Sequence, residues 1–472
     1  MRWWLGLLAA VALVVAACGG GDDGPSDATA AANFDPDAND LTSLISWGRA
    51  DSLIVVRDNL SAEQQALFAQ LMASELPGLD KYVVDLAAFP NPYRLQVISY
   101  LRARFETAPF STVYDFPEIF NFDPSDSDTD AYIAFKQALF AGQYTDMAAM
   151  MDASFPRTID VREVLWGGVE VDGIPPLEFP DQVRPEEAVR WINDTDEVIG
   201  VAINGDVRAY PIRIISWHEM VNDTIGGVPV SLTYCTLCGS AILYDGRVGG
   251  EVYRFGTSGL LYRSNKLMYD RTSRTLWNQF TGEPAWGPLV GAGIRLTSMP
   301  VVYTTWGEWL AANPETTVLN IKTGFTRDYG PGGAYAEYTE SDETIFRVPV
   351  EDDRLAPKAV VYVVRLDATL AVYPTERLAA LGFVQETVDG TALVVVATGD
   401  GAGGRAYASA GVEFVGADPA AGTLRDADGG TWALEEDGLR GPAGRVLARL
   451  SGHNAFWFAI ANQTPEATLF EG

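Results

Sequence analysis

The chain has 472 residues, which corresponds to about two to four domains of ordinary size. Hydrophobic residues make up 47% and charged residues 20% of the chain, a balance that excludes a disordered, collagenous or polytopic membrane protein. The net charge of −30 opposes electrostatic binding to nucleic acid, which we therefore do not expect as a partner. With only 3 Cys and 2 His, the chain is neither a multi-zinc protein nor a disulfide-dense scaffold.

The N-terminus has the pattern of an export signal. Arg2 precedes an uncharged run from Trp3 to Ala17, which is shorter than the roughly 20 residues that a membrane-spanning helix needs. The run leads into Cys18 through Val15-Ala16-Ala17 and is similar there to the lipobox of bacterial lipoproteins. We therefore expect cleavage before Cys18 and lipidation of its thiol. This predicts a signal peptide over residues 1–18, a flexible linker over 19–40, and an extracytoplasmic protein held at the cell membrane by a lipid anchor.

The rest of the chain divides into two regions with different residue patterns. Residues 41–156 carry apolar residues three and four positions apart, a spacing typical of amphipathic helices. We predict a small helical N-terminal domain here, without a catalytic signature. From about residue 160 the chain changes to short β-rich runs separated by Gly and Pro. The predicted fold class is therefore α+β, with the small helical domain followed by a β-rich domain over 160–472.

The β-rich region contains an internal sequence repeat. An Asn204-Gly205 turn between alternating runs predicts a hairpin, and a second stretch of the chain repeats its pattern. The corresponding positions are Tyr210-Pro211 and Tyr373-Pro374, and the turns Gly226-Gly227 and Asp389-Gly390. We interpret the region as two diverged internal repeats, one at about 197–320 and the other at about 358–470.

A Cys-x-x-Cys motif occurs in the first repeat only. Cys235 and Cys238 follow its second predicted hairpin, whereas the aligned place in the second repeat contains no thiol. If Gly226-Gly227 is the turn, antiparallel pairing places His218 opposite Cys235. If residues 217–220 instead belong to the helix that Pro211 begins, His218 still lies at the open end of the hairpin, where the thiols are. The other histidine, His453, lies just before the last predicted helix. These four side chains form the predicted Cys/His site.

Three interpretations of this site stay open. Two thiolates with one or two imidazoles suit zinc or copper. Alternatively, the two thiols cycle between dithiol and disulfide, with a thiol pKa lowered by a nearby imidazolium or helix N-terminus. The third interpretation is a structural disulfide in a non-enzymatic extracytoplasmic binding module. The interpretations thus differ on whether the protein is an enzyme.

Several polar and aromatic residues of the first repeat are candidates for lining a cleft. More often, such residues form a surface ion pair and a core aromatic. They are Glu219, Asp223, Tyr262, Asp270, Arg271 and Trp277.

A series of ordered motifs extends over roughly residues 161–465. It includes Trp217-His218-Glu219, Tyr234-Cys235-Thr236-Leu237-Cys238-Gly239, Arg327-Asp328-Tyr329 and His453-Asn454-Ala455-Phe456-Trp457. Together they resemble the Domain of Unknown Function 3179 family. The resemblance implies an exported or lipid-anchored prokaryotic protein whose biochemical activity is not established. The family pattern has Pro where this chain has Thr236 and Asp where it has Asn265.

Overall fold

The computed structural model describes residue 85 and residues 130–141, 144–331, 334–346, 348, 350, 352–367 and 369–472. The expected signal peptide with Cys18, the expected linker and most of the expected helical domain lie outside these residues. The chain separates into two compact units. The first is Met1–Val171 with Gly259–Leu261, and the second is Asp172–Ser258 with Tyr262–Gly472.

A buried lysine connects elements in the described part of the first unit. Its elements are α1 (Asp130–Ala141), α2 (Thr145–Met150) and β1 (Val164–Trp166). Lys136 on α1 is 3% exposed, and its Nζ donates to the carbonyl oxygens of Val161 at 3.0 Å and Val164 at 2.7 Å. The same ammonium lies 3.3 Å from a carboxylate oxygen of Asp85. The lysine therefore joins α1 to the backbone at β1.

Short strands dominate the chain after β1. Up to residue 340 the elements are β2 (Leu177–Glu178), β3 (Gln182–Val183), α3 (Pro185–Ala188), β4 (Glu197–Ile203), β5 (Asp206–Pro211), α4 (Ile212–Ile215), β6 (Met220–Ile225), β7 (Val228–Cys235), β8 (Ser240–Asp245), β9 (Arg247–Val248), β10 (Glu251–Val252), β11 (Phe255–Tyr262), β12 (Asn265–Asp270), β13 (Leu276–Asn278), β14 (Pro284–Trp286), β15 (Ser298–Met299), β16 (Val302–Thr305), α5 (Trp306–Ala312), β17 (Thr317–Leu319) and α6 (Ala336–Glu340).

The remaining elements follow the same pattern of strands joined by short helices. They are β18 (Val360–Arg365), β19 (Leu370–Pro374), α7 (Thr375–Leu381), β20 (Phe383–Val388), β21 (Thr391–Ala397), β22 (Gly404–Ala408), β23 (Phe414–Asp418), β24 (Thr423–Asp426), β25 (Thr431–Glu435), β26 (Gly438–Arg440), β27 (Val446–Leu450), β28 (Gly452–Phe456), α8 (Trp457–Gln463) and β29 (Thr468–Leu469).

The strands of the second unit form several sheets. Two of them, in the orders β16-β4-β5-β17-β3 and β28-β18-β19-β29, are built around a central hairpin with a later strand added at each side. A third sheet has the order β15-β8-β7-β6-β2, and an eight-stranded sheet has the order β20-β21-β22-β27-β26-β25-β24-β23. Strands β11, β12, β13 and β14 are neighbours in a further sheet.

The expected α+β class is wrong, because the described chain is mostly β-structure. It contains twenty-nine strands, and the longest of its eight helices, α1, has 12 residues. From residue 185 onward every helix has four to seven residues and joins strands instead of forming a layer. The small helical N-terminal domain is not supported either, since α1 and α2 are the only helices described within 41–156, apart from a single helical residue at 85.

The predicted hairpin turns are confirmed. Strands β4 and β5 pair from Val198↔Pro211 to Ile203↔Asp206, and β6 pairs with β7 from Met220↔Thr233 to Ile225↔Val228. Both residues of the Gly226-Gly227 turn have positive φ, 54° and 79°, as a type I′ turn requires. This register fixes which residues of β7 meet β6 and β8.

The core of residues 177–329 lies between two of these sheets. Its buried side chains come from β4 and β5 on one side and from β6, β7 and β8 on the other. Ile199, Leu232 and Leu243 are each at most 2% exposed. Full burial of such a side chain stabilises the fold by about 1.5–3 kcal/mol. The packed sheets therefore give β7, which carries the Cys-x-x-Cys motif, a rigid base.

Candidate functional site

The Cys-x-x-Cys motif forms a tight connection between two adjacent strands. Cys235 is the last residue of β7, Thr236–Cys238 make one 3-10 turn, and Ser240 begins β8 directly opposite Cys235. Gly239 closes the turn with φ 57°, a left-handed conformation that favours glycine. A Cβ atom there would also lie 3.0 Å from the ring of Phe456. The turn therefore holds both sulfurs at one end of the β7–β8 pair.

The two cysteines are free thiols, and the sulfurs interact directly. Cys235 is 2% exposed and Cys238 is 0% exposed. The Cys238 thiol has two acceptors in reach, the Cys235 sulfur and the carbonyl oxygen of Ser264 at 3.4 Å. On its other side, Asn265 Nδ2 donates to Cys238 Sγ at 3.4 Å. The Cys238 sulfur is thus surrounded by hydrogen-bonding groups.

The environment drives the pKa values of the two thiols apart. Burial opposes ionisation of Cys235, but the hydrogen bond from Cys238, the Lys266 backbone N–H and the Lys266 ammonium outweigh it and lower the pKa of Cys235. Burial, together with donation to Cys235, raises the pKa of Cys238 well above that of an ordinary thiol. Only a thiolate attacks a disulfide. Of the two thiols, Cys235 is therefore the one that ionises more readily.

A buried ion pair lies beside Cys235. Lys266 Nζ is 3.5 Å from Glu219 Oε2, and the two side chains are 5% and 12% exposed. Lys266 Nζ also donates to the carbonyl oxygen of Glu219 at 2.7 Å, while the Thr236 hydroxyl donates to Glu219 Oε1 at 3.2 Å. Burial raises the pKa of the Glu219 carboxyl and lowers that of the Lys266 ammonium. Cys235 therefore has one cationic group, Lys266, and one anionic group, Glu219, beside it.

An amide network fixes the orientation of Asn265. Its Nδ2 donates to Gln279 Oε1 at 2.6 Å as well as to the Cys238 sulfur. Gln279 Nε2 donates in turn to Thr233 Oγ1 on β7 at 2.9 Å. The network thus links β7, β12 and the residue after β13 next to the motif.

Two tyrosines complete the surroundings of the thiols. The Tyr338 hydroxyl, on α6, donates to the carbonyl oxygen of Leu237 at 2.7 Å. Burial raises the pKa of Tyr335 and of Tyr338, and the charge of an ionised Cys235 would raise both further. Residues 335–338 therefore lie against the motif.

Sequence reasoning missed Lys266, Gln279 and the two tyrosines. Lys266 is one of the chain's five lysines and stands in the strongly apolar run Asn265-Lys266-Leu267-Met268-Tyr269, where a charged residue is a signal of a buried polar contact. Nothing in the spacing of Gln279 or of the tyrosines pointed to the thiols.

The structure does not bring His218 to the sulfurs. Its Nδ1 lies 2.7 Å from the carbonyl oxygen of Pro175, and its Nε2 lies 2.6 Å from the hydroxyl of Tyr329. Because a carbonyl only accepts, Nδ1 carries a proton, and Nε2 of the neutral ring accepts from Tyr329. Burial lowers the pKa of His218. Both ring nitrogens are engaged away from Cys235.

His453 stands elsewhere in the fold. It stands on β28 opposite Val363 of β18, and its ring centroid is 6.0 Å from that of Phe280. In the part of the chain that the structure describes, no group of three or more His, Cys, Asp or Glu residues could hold a metal ion. The predicted four-residue Cys/His set is therefore not assembled.

Most of the candidate cleft residues make structural contacts. Asp223 accepts from Arg208 at 2.8 Å and from the Tyr210 hydroxyl at 2.9 Å. Trp277 Nε1 donates to Asp270 Oδ2 at 3.0 Å, and both residues are 0% exposed.

The two other cleft candidates also lie apart from the thiols. Arg271 pairs with Asp172 at 3.0 Å and with Glu178 at 3.2 Å. The ring of Tyr262 lies under the guanidinium of Arg263, 5.2 Å from its centroid. Of the six candidates, Glu219 is the one that contacts the motif.

Comparison with known proteins gives a family. The model of the family described as "Protein of unknown function (DUF3179)" matches residues 171–467, more than half of the chain. The chain belongs to the DUF3179 family. No curated protein and no solved structure matches it. The DUF3179 match includes the dithiol, the Lys266–Glu219 pair and the tyrosines, so the whole candidate site lies within the family region. Among the described residues, no helix combines the length and the apolar character needed to cross a membrane.

Proposed function

We propose that this DUF3179 protein exchanges electrons with a partner through the Cys235–Cys238 dithiol. The observation that carries the proposal is the geometry of the motif, in which two buried free thiols are hydrogen-bonded to each other and the Lys266 amide and ammonium lie beside Cys235. A merely structural cysteine pair gains nothing from a nucleophilic first thiol and a protonated second one. The adjoining Lys266–Glu219 pair supports the same role, since it places a cation beside the thiolate.

The proposed reaction is thiol–disulfide exchange. The Cys235 thiolate attacks one sulfur of a partner disulfide, forms a mixed disulfide and releases a partner thiolate, which takes up the proton that Cys235 had lost. Cys238 then loses its proton, its thiolate attacks the Cys235 sulfur, and the second partner thiolate departs and takes up a proton. Two electrons move to the partner, which leaves as a dithiol, and Cys235 and Cys238 remain joined as a disulfide.

The test uses the full-length chain with Cys18→Ser, so that the motif supplies the only thiols. The protein is equilibrated with graded ratios of reduced and oxidised glutathione, and its mass is measured after acid trapping. We expect a reversible loss of two hydrogens without loss of the fold. Cys238→Ser should accumulate a mixed disulfide on Cys235, and Cys235→Ser should form its mixed disulfide more slowly, on the order of tenfold.

Two outcomes would contradict the redox proposal. A disulfide that dithiothreitol reduces only in denaturant would indicate a structural staple in a binding module. Stoichiometric zinc or copper in anaerobically purified protein, lost in Cys235→Ser, would indicate transition-metal binding at the thiols instead.

We further propose that the protein works outside the cytoplasm, anchored by lipid at Cys18. The support is the sequence of the first 24 residues, where a positive residue and an apolar run precede Val15-Ala16-Ala17-Cys18 and a Gly-rich stretch. In a bacterial host with lipoprotein processing, we expect mass spectrometry to find a mature N-terminus at a lipid-modified Cys18. Cys18→Ser should abolish the modification. An unmodified full-length N-terminus in the wild type would rule the anchor out.

A further inference from the structure

Two nitrogen-bearing side chains share one face of the sheet that contains β18 and β28. Val363 pairs with His453 and Val364 with Gly452, and the Arg365 amide donates to the carbonyl oxygen of Ser451 at 2.9 Å. Residues 363 and 365 point to the same face of a strand, as do 451 and 453. Arg365 and His453 are therefore diagonal neighbours across the ladder, a separation that long side chains span.

Both side chains have buried nitrogen atoms without a partner. Within the described residues, Arg365 Nε and Nη2 and His453 Nε2 make no hydrogen bond and are shielded from solvent. His453 is 2% exposed. An unsatisfied buried N–H loses its hydration without compensation, and the loss is larger for a charged group. Such groups in a folded protein call for a ligand or another explanation.

The surroundings add positive charge and no carboxylate contact to Arg365. Arg295 lies close enough to repel the Arg365 guanidinium, and burial together with that charge lowers the pKa of Arg365. Tyr244 and Glu283 act on the pKa of Arg365 in the opposite direction, and Glu283 pairs with Arg295 at 3.7 Å. Burial, and then Arg365, lower the pKa of His453 well below its usual value, so its imidazole is neutral at pH 7. A neutral ring supplies one N–H donor, and a bound anion would select the tautomer that carries this proton on the unpartnered Nε2.

The location of the cluster follows from the strand register. Ser451 Oγ donates to Ser298 Oγ at 2.9 Å, and Ser298 of β15 pairs with Tyr244 of β8. Phe280, whose ring contacts His453, comes from the same part of the chain. Arg365 and His453 therefore face β8 and β15, which lie in a different sheet.

The geometry points to a binding site for a small oxyanion, held by the guanidinium fork of Arg365 and the imidazole of His453. A guanidinium presents parallel N–H groups that match two oxygens of a carboxylate or a phosphate. The site is separate from the dithiol and does not depend on the proposed redox role.

The test is binding of inorganic phosphate to the full-length protein by calorimetry, repeated with sulfate, with acetate and with chloride at equal ionic strength. Phosphate and sulfate stabilise most proteins at high concentration, so the signal is a saturable one at low concentration. We expect the oxyanions to bind and chloride not to bind. Tighter binding of phosphate and sulfate than of acetate would indicate a phosphate-type ligand, and tighter binding of acetate would indicate a carboxylate-type ligand. Arg365→Gln and His453→Gln should each weaken binding by about tenfold or more.

The matched control is Arg354→Gln, which removes an arginine that is paired with Asp352 at the surface and should bind like the wild type. Cys235→Ser/Cys238→Ser should also bind normally, which separates this site from the redox proposal. If Arg365→Gln does not fold, phosphate binding to His453→Gln and to the wild type tests the inference. Absence of saturable binding to the wild type, or undiminished binding to His453→Gln, would overturn the inference.

Discussion

At the residue scale, one lysine and one glutamate act on the same sulfur in opposite directions. The Lys266 ammonium favours the Cys235 thiolate, whereas the Glu219 carboxylate disfavours it. Glu219 reaches its position through a positive φ of 54°, which is uncommon outside glycine. The chain thus adopts a strained conformation at the residue that balances the charge of Lys266.

This balance predicts opposite shifts in two variants. Lys266→Met removes the cation and should raise the pH at which iodoacetamide alkylates Cys235 half-maximally, because the thiolate loses a stabilising charge. Glu219→Gln removes the anion and should lower that pH. In the wild type the midpoint should lie below the roughly 8.5 of an ordinary thiol. The measurement is the alkylation rate of Cys235 against pH, followed by peptide mass spectrometry in Cys18→Ser protein that keeps Cys238 as the donor to Cys235.

Lys322→Met serves as the control, since Lys322 is exposed and should leave the midpoint unchanged. Shifts in the same direction for Lys266→Met and Glu219→Gln would mean that the ion pair acts only through packing.

At the scale of elements, the sequence predicted the hairpins well because their turns are local. The pairs Asn204-Gly205, Gly226-Gly227 and Asp389-Gly390 all have positive φ at both residues, and each sits between paired strands. A two-residue turn fixes the register of the strands on both sides of it. The pairing of β6 with β7 could therefore be counted from Gly226-Gly227 alone.

The same counting did not locate His218, because the ladder ends before it. The last pair is Met220↔Thr233, and the amides of His218 and Glu219 instead donate back to the carbonyl oxygen of Ile215 in the turn after α4. The positive φ of Glu219 then separates the side chain of His218 from that of Cys235. Such a conformation depends on tertiary contacts, such as the one between Lys266 and the Glu219 carbonyl, which no local pattern encodes.

At the scale of the whole second unit, the turn after β7 and the turn after β21 make comparable long-range contacts. Gly239 lies against Phe456, the residue before α8. In the turn after β21, Asp400 Oδ2 accepts from Thr304 Oγ1 at 2.8 Å and from the Thr305 amide at 2.7 Å, directly before α5. Each turn therefore contacts the start of a helix that is distant in sequence, which ties residues 235–305 to residues 400–456.

Asp400 provides a test of how much this connection stabilises the protein. Its other oxygen accepts from Thr398 Oγ1 at 2.7 Å and from the Ala402 amide at 2.9 Å. Burial opposes the charge, but these donors together with those of Thr304 and Thr305 lower the pKa of Asp400. Asp400→Asn turns an amide N–H₂ toward one of the donor pairs. Because Asp400 is exposed, the expected loss is only about 1 kcal/mol in the free energy of unfolding at pH 7.

The pH dependence of that loss has a definite sign. A carboxyl whose pKa is lower in the folded state stabilises the fold above its unfolded pKa of about 3.9. The stabilisation is lost as the pH falls through the folded pKa, so the wild type and Asp400→Asn should become equally stable in acid. Urea unfolding at several pH values measures the difference, with the exposed Asp353→Asn expected to match the wild type throughout. A difference that persists undiminished below pH 3 would show that Asp400 stabilises the link between the two turns through shape and not through charge.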